Sequence, residues 1–200
     1  MVDLRSRVAF AEGHVSGSFN FEGAGKLATY LAWLIPWGKP VTLLAETPAE
    51  IADAQRELAR VGIDRPAAAT GDPLTWIREG ERLAAFPRAR FADLADVYGR
   101  GEDAYERGED AEDAEKVVVL DVRRDAERAE GFIEGSAHIP VHELHGRLGE
   151  VPDGTVWVHC AGGMRAAIAA SLLDATGRKV VAVDDGFEAA AEAGLSITRP

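Results

Sequence analysis

Thr155-Val156-Trp157-Val158-His159-Cys160-Ala161-Gly162-Gly163-Met164-Arg165 is the stretch on which the fold turns. Thr155 to Cys160 is apolar and β-branched with little alternation, the composition of a strand covered on both faces. From Arg165 to Thr176 the chain is rich in Ala and Leu and stops at Gly177, which predicts a helix. Lys179 to Val183 is a further apolar strand. Strand, helix, strand in this order predicts a βαβ unit. Upstream, Val117-Val118-Val119-Leu120-Asp121-Val122 is a strand of the same kind, and Phe91 to Val97 is a candidate leading helix. The region reads as α/β, a mainly parallel sheet flanked by helices.

The chain also repeats itself. Sliding it by 118 residues lays Asp3 on Asp121, Arg5 on Arg123, Glu12 on Glu130, Gly13 on Gly131, Gly17 on Gly135 and Ser18 on Ser136. Further along, an offset of 115 lays Val41 on Val156, Ala54 on Ala169, Leu58 on Leu173 and Gly62 on Gly177. The change of offset is a difference in loop length. Two copies of one fold are predicted, over 1–85 and 86–200. The first begins directly in its first strand at Met1, without the leading helix of the second. The chain is therefore expected to be a fragment, or a protein that has lost its front end. Its strand Val41 to Ala45 and a helix from Pro48 to about Arg60 match the second copy's unit. Tyr98 to Glu115 carries eight acids against two arginines, half the net charge of -12, and contains a seven-residue duplication. It reads as a solvated acidic insertion at 98–115.

Cys160 ends a buried strand, where open parallel sheets place ligands. The loop after it, Ala161-Gly162-Gly163-Met164, is short, and its glycines allow successive N–H groups to curl toward one point. The following helix adds the positive end of its dipole. A thiolate inside such a ring is stabilised and acts as a nucleophile. Arg165 stands where it adds a fixed charge and positions an anionic substrate. The competing reading is a buried core thiol beside a plain turn.

This segment resembles the rhodanese family, in which a catalytic cysteine opens a loop between a strand and a helix and an arginine often closes it. Val119-Leu120-Asp121-Val122-Arg123 is similar to the family's first-strand signature. Glu130-Gly131-Phe132-Ile133-Glu134-Gly135-Ser136-Ala137-His138-Ile139-Pro140 looks like its next segment, and Asp185-Gly186-Phe187 with Ala193-Gly194-Leu195 like its closing one. Phe132, Asp185 and Ala190 depart from the usual histidine, glycine and tryptophan, the last expected to loosen packing. In the first copy Gly13-His14-Val15-Ser16-Gly17-Ser18-Phe19-Asn20 carries the resemblance. There, however, Ala45 falls at the cysteine position, and Glu46-Thr47-Pro48-Ala49-Glu50 repels an anion. The resemblance implies two rhodanese-like domains, the first silent. It implies sulfur transfer through a Cys160 persulfide without a cofactor, from thiosulfate, a polysulfide or glutathione persulfide to a thiol or cyanide. The aromatic stretch Tyr30 to Trp37 looks like rhodanese pairs fused behind metallo-β-lactamase-fold persulfide dioxygenases, whose own metal motif is absent. A cysteine phosphatase or arsenate reductase of the same fold is the enzymatic rival, but the dual-specificity phosphatase loop is one residue longer. A docking or sulfur-sensing module is the other.

The remaining residues narrow the field. A net charge of -12 argues against nucleic acid and anionic membranes as partners. The longest apolar run, Leu27 to Trp37, is broken by Pro36 and too short to span a bilayer. With one cysteine and no basic-then-apolar start, a reducing cytoplasm is expected. His138, His142 and His145 do not make a metal site, because Pro140 separates the first from the others. His159 is expected to face away from Cys160, since adjacent strand residues point to opposite sides. Asp121 and Arg123 are expected to brace the loop, His14 to be structural, and Leu27, Leu31, Trp33 and Leu34 to be core or interdomain surface.

Overall fold

Runs of apolar β-branched residues become short parallel strands in the computed structural model, which describes residues 1–22, 26–36, 38–106 and 116–200. The first half lays down β1 (Val2–Asp3), α1 (Arg7–Glu12), β2 (Phe19–Asn20), α2 (Leu27–Leu34), β3 (Thr42–Ala45), α3 (Pro48–Ala59) and β4 (Ala67–Thr70). Its strands pair in the order β2-β1-β3-β4, all parallel. The second half follows with β5 (Arg88–Ala89), α4 (Phe91–Glu106), β6 (Val117–Asp121), α5 (Asp125–Ala129), β7 (Phe132–Ile133) and β8 (Ala137–His138). It continues with α6 (Val141–Leu144), β9 (Thr155–His159), α7 (Met164–Asp174), β10 (Val180–Val183), α8 (Glu188–Glu192) and β11 (Ile197–Thr198). Its main sheet runs β5-β10-β9-β6-β8, again all parallel, with β7 and β11 paired antiparallel beside it.

The order β8-β6-β9-β10 repeats the order β2-β1-β3-β4, and the registers agree. Asp3 lies opposite Leu44, and Asp121 lies opposite His159. Ala45 and Cys160 are thus the next residues along corresponding strands.

The corresponding helices α3 and α7 differ in what covers them. On α3 only Ile51, Ala54 and Leu58 are buried, so it carries one apolar stripe. On α7 every residue from Ala166 to Leu173 is buried, as an all-round apolar helix requires. It packs on β9 and β10 on one side and on β2 and α1 of the first half on the other. One hydrophobic cluster accordingly holds Val2, Phe10, Phe21 and Tyr30 together with Cys160, Ile168 and Leu172. The Asn20 N–H donates to Ser171 Oγ at 3.1 Å, and His14 Nε2 lies 3.1 Å from Asp174 Oδ2, which ties the halves further.

One expectation is corrected. The leading helix does not end near Val97: α4 runs on to Glu106, so 98–106 of the acidic stretch is helical, and 107–115 lies outside the described residues. Phe91 and Leu94 are fully buried and anchor this helix, and propagation past an anchored turn adds one bond for each residue fixed. Ala190 is fully buried in one cluster with Phe91, Leu94 and Trp157.

Candidate active site

Cys160 follows the last residue of β9 and α7 begins at Met164, so the loop occupies the carboxyl end of a central strand. The thiol is buried, with 2% of the residue exposed, and the Gly162 N–H donates to its Sγ at 3.5 Å. Gly163, the N-cap of α7, has φ 84°, a left-handed conformation that glycine adopts without strain. A Cβ there would collide with the Asp184 carboxylate. Gly162 does not take a positive φ, so one glycine rather than two makes the turn. The loop's outer side is tied down by a bridge between Gly162 and Gly186 and by the Phe187 N–H, which donates to the Ala161 carbonyl at 3.2 Å.

Asp121 and Arg123 reach the loop through Phe187. Arg123 donates from Nε and Nη2 to Asp121 at 3.0 and 2.7 Å, and from Nη2 to the Gly131 carbonyl at 2.8 Å. Its guanidinium lies 3.5 Å from the centre of the Phe187 ring. Burial works to raise the Asp121 carboxyl, but Arg123 and the positive charge around it hold it below the usual carboxylate range. The first half repeats this unit: Arg5 donates to Asp3 at 3.0 and 2.7 Å and to the Gly13 carbonyl at 2.7 Å.

His159 faces the opposite side of β9 from the thiol. It stacks on Phe187 with centroids 5.5 Å apart and is fully buried, and among the described residues neither ring nitrogen has a hydrogen-bond partner. Burial pushes its pKa down to about 4, so the folded protein holds it neutral. The unfolded chain takes up a proton near pH 6.5, so the stability His159 contributes is present above that pH and is lost as pH falls toward 4. The loss is about 3 kcal/mol. Denaturant unfolding at pH 7 and pH 4.5 should show this decline in the wild type and a smaller one in His159→Phe; equal declines would contradict the assignment.

Arg165 does not stand free. Its two Nη atoms donate to Glu127 at 2.6 and 2.7 Å, which holds the Glu127 carboxyl below its usual range. Behind the loop, Asp184 accepts from Arg7 Nε and from Arg88 Nη1, each at 2.7 Å. Glu127, Asp184 and Arg7 were not legible as site residues, because their partners lie 38 and 177 positions away. The corresponding turn of the first half holds no thiol. Thr47 and Glu50 form a reciprocal capping box on either side of Pro48, so backbone donors that an anion would use are already occupied. The three histidines considered for metal stay apart: His138 bonds the Arg123 carbonyl at 2.9 Å, His142 lies against Trp33, and His145 is the C-cap of α6. Among the described residues no group of three His, Cys, Asp or Glu side chains is placed to hold a metal ion, and no helix is long and apolar enough to cross a membrane.

Residues 104–193, which include the whole cysteine loop, match the model of the Rhodanese-like domain. A sulfurtransferase of Allochromatium vinosum is 34% identical over 90 residues, 44% of this chain and 84% of that protein. The chain belongs to the rhodanese-like family. Among solved structures, a rhodanese-like domain protein from Staphylococcus aureus is similar at 25% identity over 56% of this chain and 99% of that one, with a TM-score of 0.43. A rhodanese-related protein from Thermoplasma volcanium is similar at 31% identity over 50% and 94%, with a TM-score of 0.40. The reduced CoADR-RHD of Bacillus anthracis is 31% identical over 54% of this chain and 17% of that chain, with a TM-score of 0.41.

Proposed function

We propose that this protein is a sulfurtransferase that carries a sulfane sulfur on Cys160. The observation that carries this reading is a lone thiol at the carboxyl end of β9 with a loop N–H aimed at its sulfur. The Cys160 thiolate attacks the outer sulfur of thiosulfate, a polysulfide or glutathione persulfide. The S–S bond of the donor breaks, and sulfite or a thiolate leaves with the electron pair. The persulfide anion rests among the N–H groups of Ala161, Gly162, Gly163 and Met164. Cyanide or a cellular thiol then attacks the terminal sulfur, and the Cys160 thiolate is released. Asp121 and Arg123 brace the loop from behind, and Arg165 closes it.

The chain is proposed as a tandem of two rhodanese-like domains, 1–85 silent and 86–200 working. The repeated strand order and the repeated Asp–Arg–carbonyl unit support this. A cytoplasmic setting is proposed, as is association, fused or separate, with a metallo-β-lactamase-fold persulfide dioxygenase. The Ala45 turn with its filled capping box favours a second role, docking or sulfur sensing, for the first half. The assay is thiocyanate formation from thiosulfate and cyanide, run beside hydrolysis of an aryl phosphate. Sulfur transfer with negligible phosphate release is expected; Cys160-dependent phosphatase turnover with no sulfur transfer would overturn the reading.

A further inference from the structure

The cysteine loop has a carboxylate for a neighbour. β10 runs beside β9 with Ala182 opposite Val158, and the ladder carried two residues further sets Asp184 beside Cys160. The Asp184 N–H donates to the Ala89 carbonyl at 2.9 Å, which fixes the residue at the strand end. Its carboxylate lies against Gly163, the residue that turns the loop into α7, and fills the space a Cβ would need there. A negative charge in that position opposes the thiolate on which nucleophilic attack depends.

Two guanidiniums answer it. Arg88 Nη1 donates to Asp184 Oδ2 and Arg7 Nε donates to Oδ1, each at 2.7 Å. Arg7 comes from the silent half. It is the first residue of α1, whose start is held by Ser6 Oγ accepting the Ala9 N–H at 3.2 Å. Its Nε would stand 3.3 Å from a Cβ on Gly163, so cation and carboxylate meet at the same turn. Arg7 Nη1 also donates to Glu22 Oε2 at 2.7 Å, and the four side chains sum to zero charge.

The repeat shows that this pairing is not part of the shared fold. In the first half Thr70 lies opposite Ala45, where the second half sets Asp184 beside Cys160. At the offset that lays Asp3 on Asp121, Arg7 falls on Asp125, an exposed acid. The carboxylate therefore belongs to the half with the thiol, and the cation that meets it belongs to the other.

We propose that Arg7 is a positioning residue of the cysteine site, supplied by the silent half, which neutralises Asp184 against the Gly163 turn and so keeps the Cys160 thiolate reactive. The use of that thiolate in sulfur transfer rests on the reading above. The silent half thus acts on the chemistry through Asp184.

The test has one arm that needs no sulfur chemistry, the rate at which neutral iodoacetamide alkylates Cys160 in the full chain at neutral pH. In Arg7→Met the acids Asp184 and Glu22 outnumber Arg88, and the rate should fall about 5-fold. Arg7→Lys keeps the charge, and Arg7→Met combined with Asp184→Asn removes the charge that Arg7 balances. Both should stay within about 2-fold of wild type, as should Arg56→Met, the exposed net-charge control on α3. A tie that merely joined the halves would be broken in the double variant as in the single, and its rate would not recover. An unchanged rate in Arg7→Met, or a fall that the double variant does not recover, overturns the assignment. Should Arg7→Met fail to fold, Arg7→Lys and the double variant still decide, since a loss of rate in either overturns it. In the second arm, kcat for thiosulfate and cyanide should fall about 5-fold in Arg7→Met and recover in the double variant. An alkylation rate that falls and recovers in a protein that transfers no sulfur, wild type included, upholds the role of Arg7 and rejects the sulfur-transfer reading.

Discussion

Cys160→Ser is expected to lower sulfur transfer by about 10³-fold or more while leaving the fold in place. Removing the nucleophile of a covalent mechanism costs rate on that scale, because the remaining groups act only through it. A serine hydroxyl is a poor nucleophile at neutral pH and forms no persulfide. The substitution exchanges one small buried side chain for another, and the oxygen still accepts from the Gly162 N–H that now points to sulfur. Thiosulfate:cyanide turnover and the thermal midpoint should therefore separate, the first collapsing and the second moving little. Activity retained in the serine variant would remove the covalent mechanism. A large fall in the midpoint would instead make the thiol part of the core.

Asp121→Ala is expected to destabilise the protein by about 3–5 kcal/mol, the scale of a buried ion pair broken on one side. The Arg123 it leaves behind is 4% exposed and retains the Gly131 and Glu127 carbonyls and the Phe187 face, none of which carries a compensating charge. Because Phe187 holds the Ala161 carbonyl, loosening Arg123 also frees the cysteine loop, so kcat should fall with stability. Asp3→Ala is the matched control. It removes the same carboxylate from Arg5, with the same bond lengths of 3.0 and 2.7 Å, on the half without a thiol. Its cost in denaturant unfolding should be similar, and its effect on kcat measured well below the unfolding transition should be small. Equal losses of activity from the two variants would show that the pair acts through global stability and not through the loop.

These twin pairs also show what was legible in the sequence. Asp3, Arg5 and Gly13 repeat as Asp121, Arg123 and Gly131 because each motif folds on itself within eleven residues, and local geometry leaves a local pattern. The βαβ units were legible for the same reason, and so was the equivalence of Ala45 and Cys160 on corresponding strands. The side to which His159 points followed from strand alternation alone.

What stayed hidden is long-range. Glu127 meets Arg165 across 38 positions and Arg7 meets Asp184 across 177, and a single sequence carries no periodicity at such distances. The loop charge was accordingly assigned to Arg165 when the folded chain neutralises it. The continuation of α4 to Glu106 was missed because an acidic, glycine-bearing run has weak helix propensity, while the buried Phe91 and Leu94 that nucleate it lie earlier. The shared core was written in α7 as unbroken apolar character. Reading it required a second covering surface, which the first half provides through β2 and α1.

The central claim, a sulfur carried on Cys160, is tested most directly by intact-protein mass spectrometry after exposure to thiosulfate or glutathione persulfide. The wild type should gain one sulfur atom, located at Cys160 by peptide mapping and removed by cyanide, and Cys160→Ser should gain none. A wild-type protein whose thiol remains free and unmodified under both donors would contradict the account.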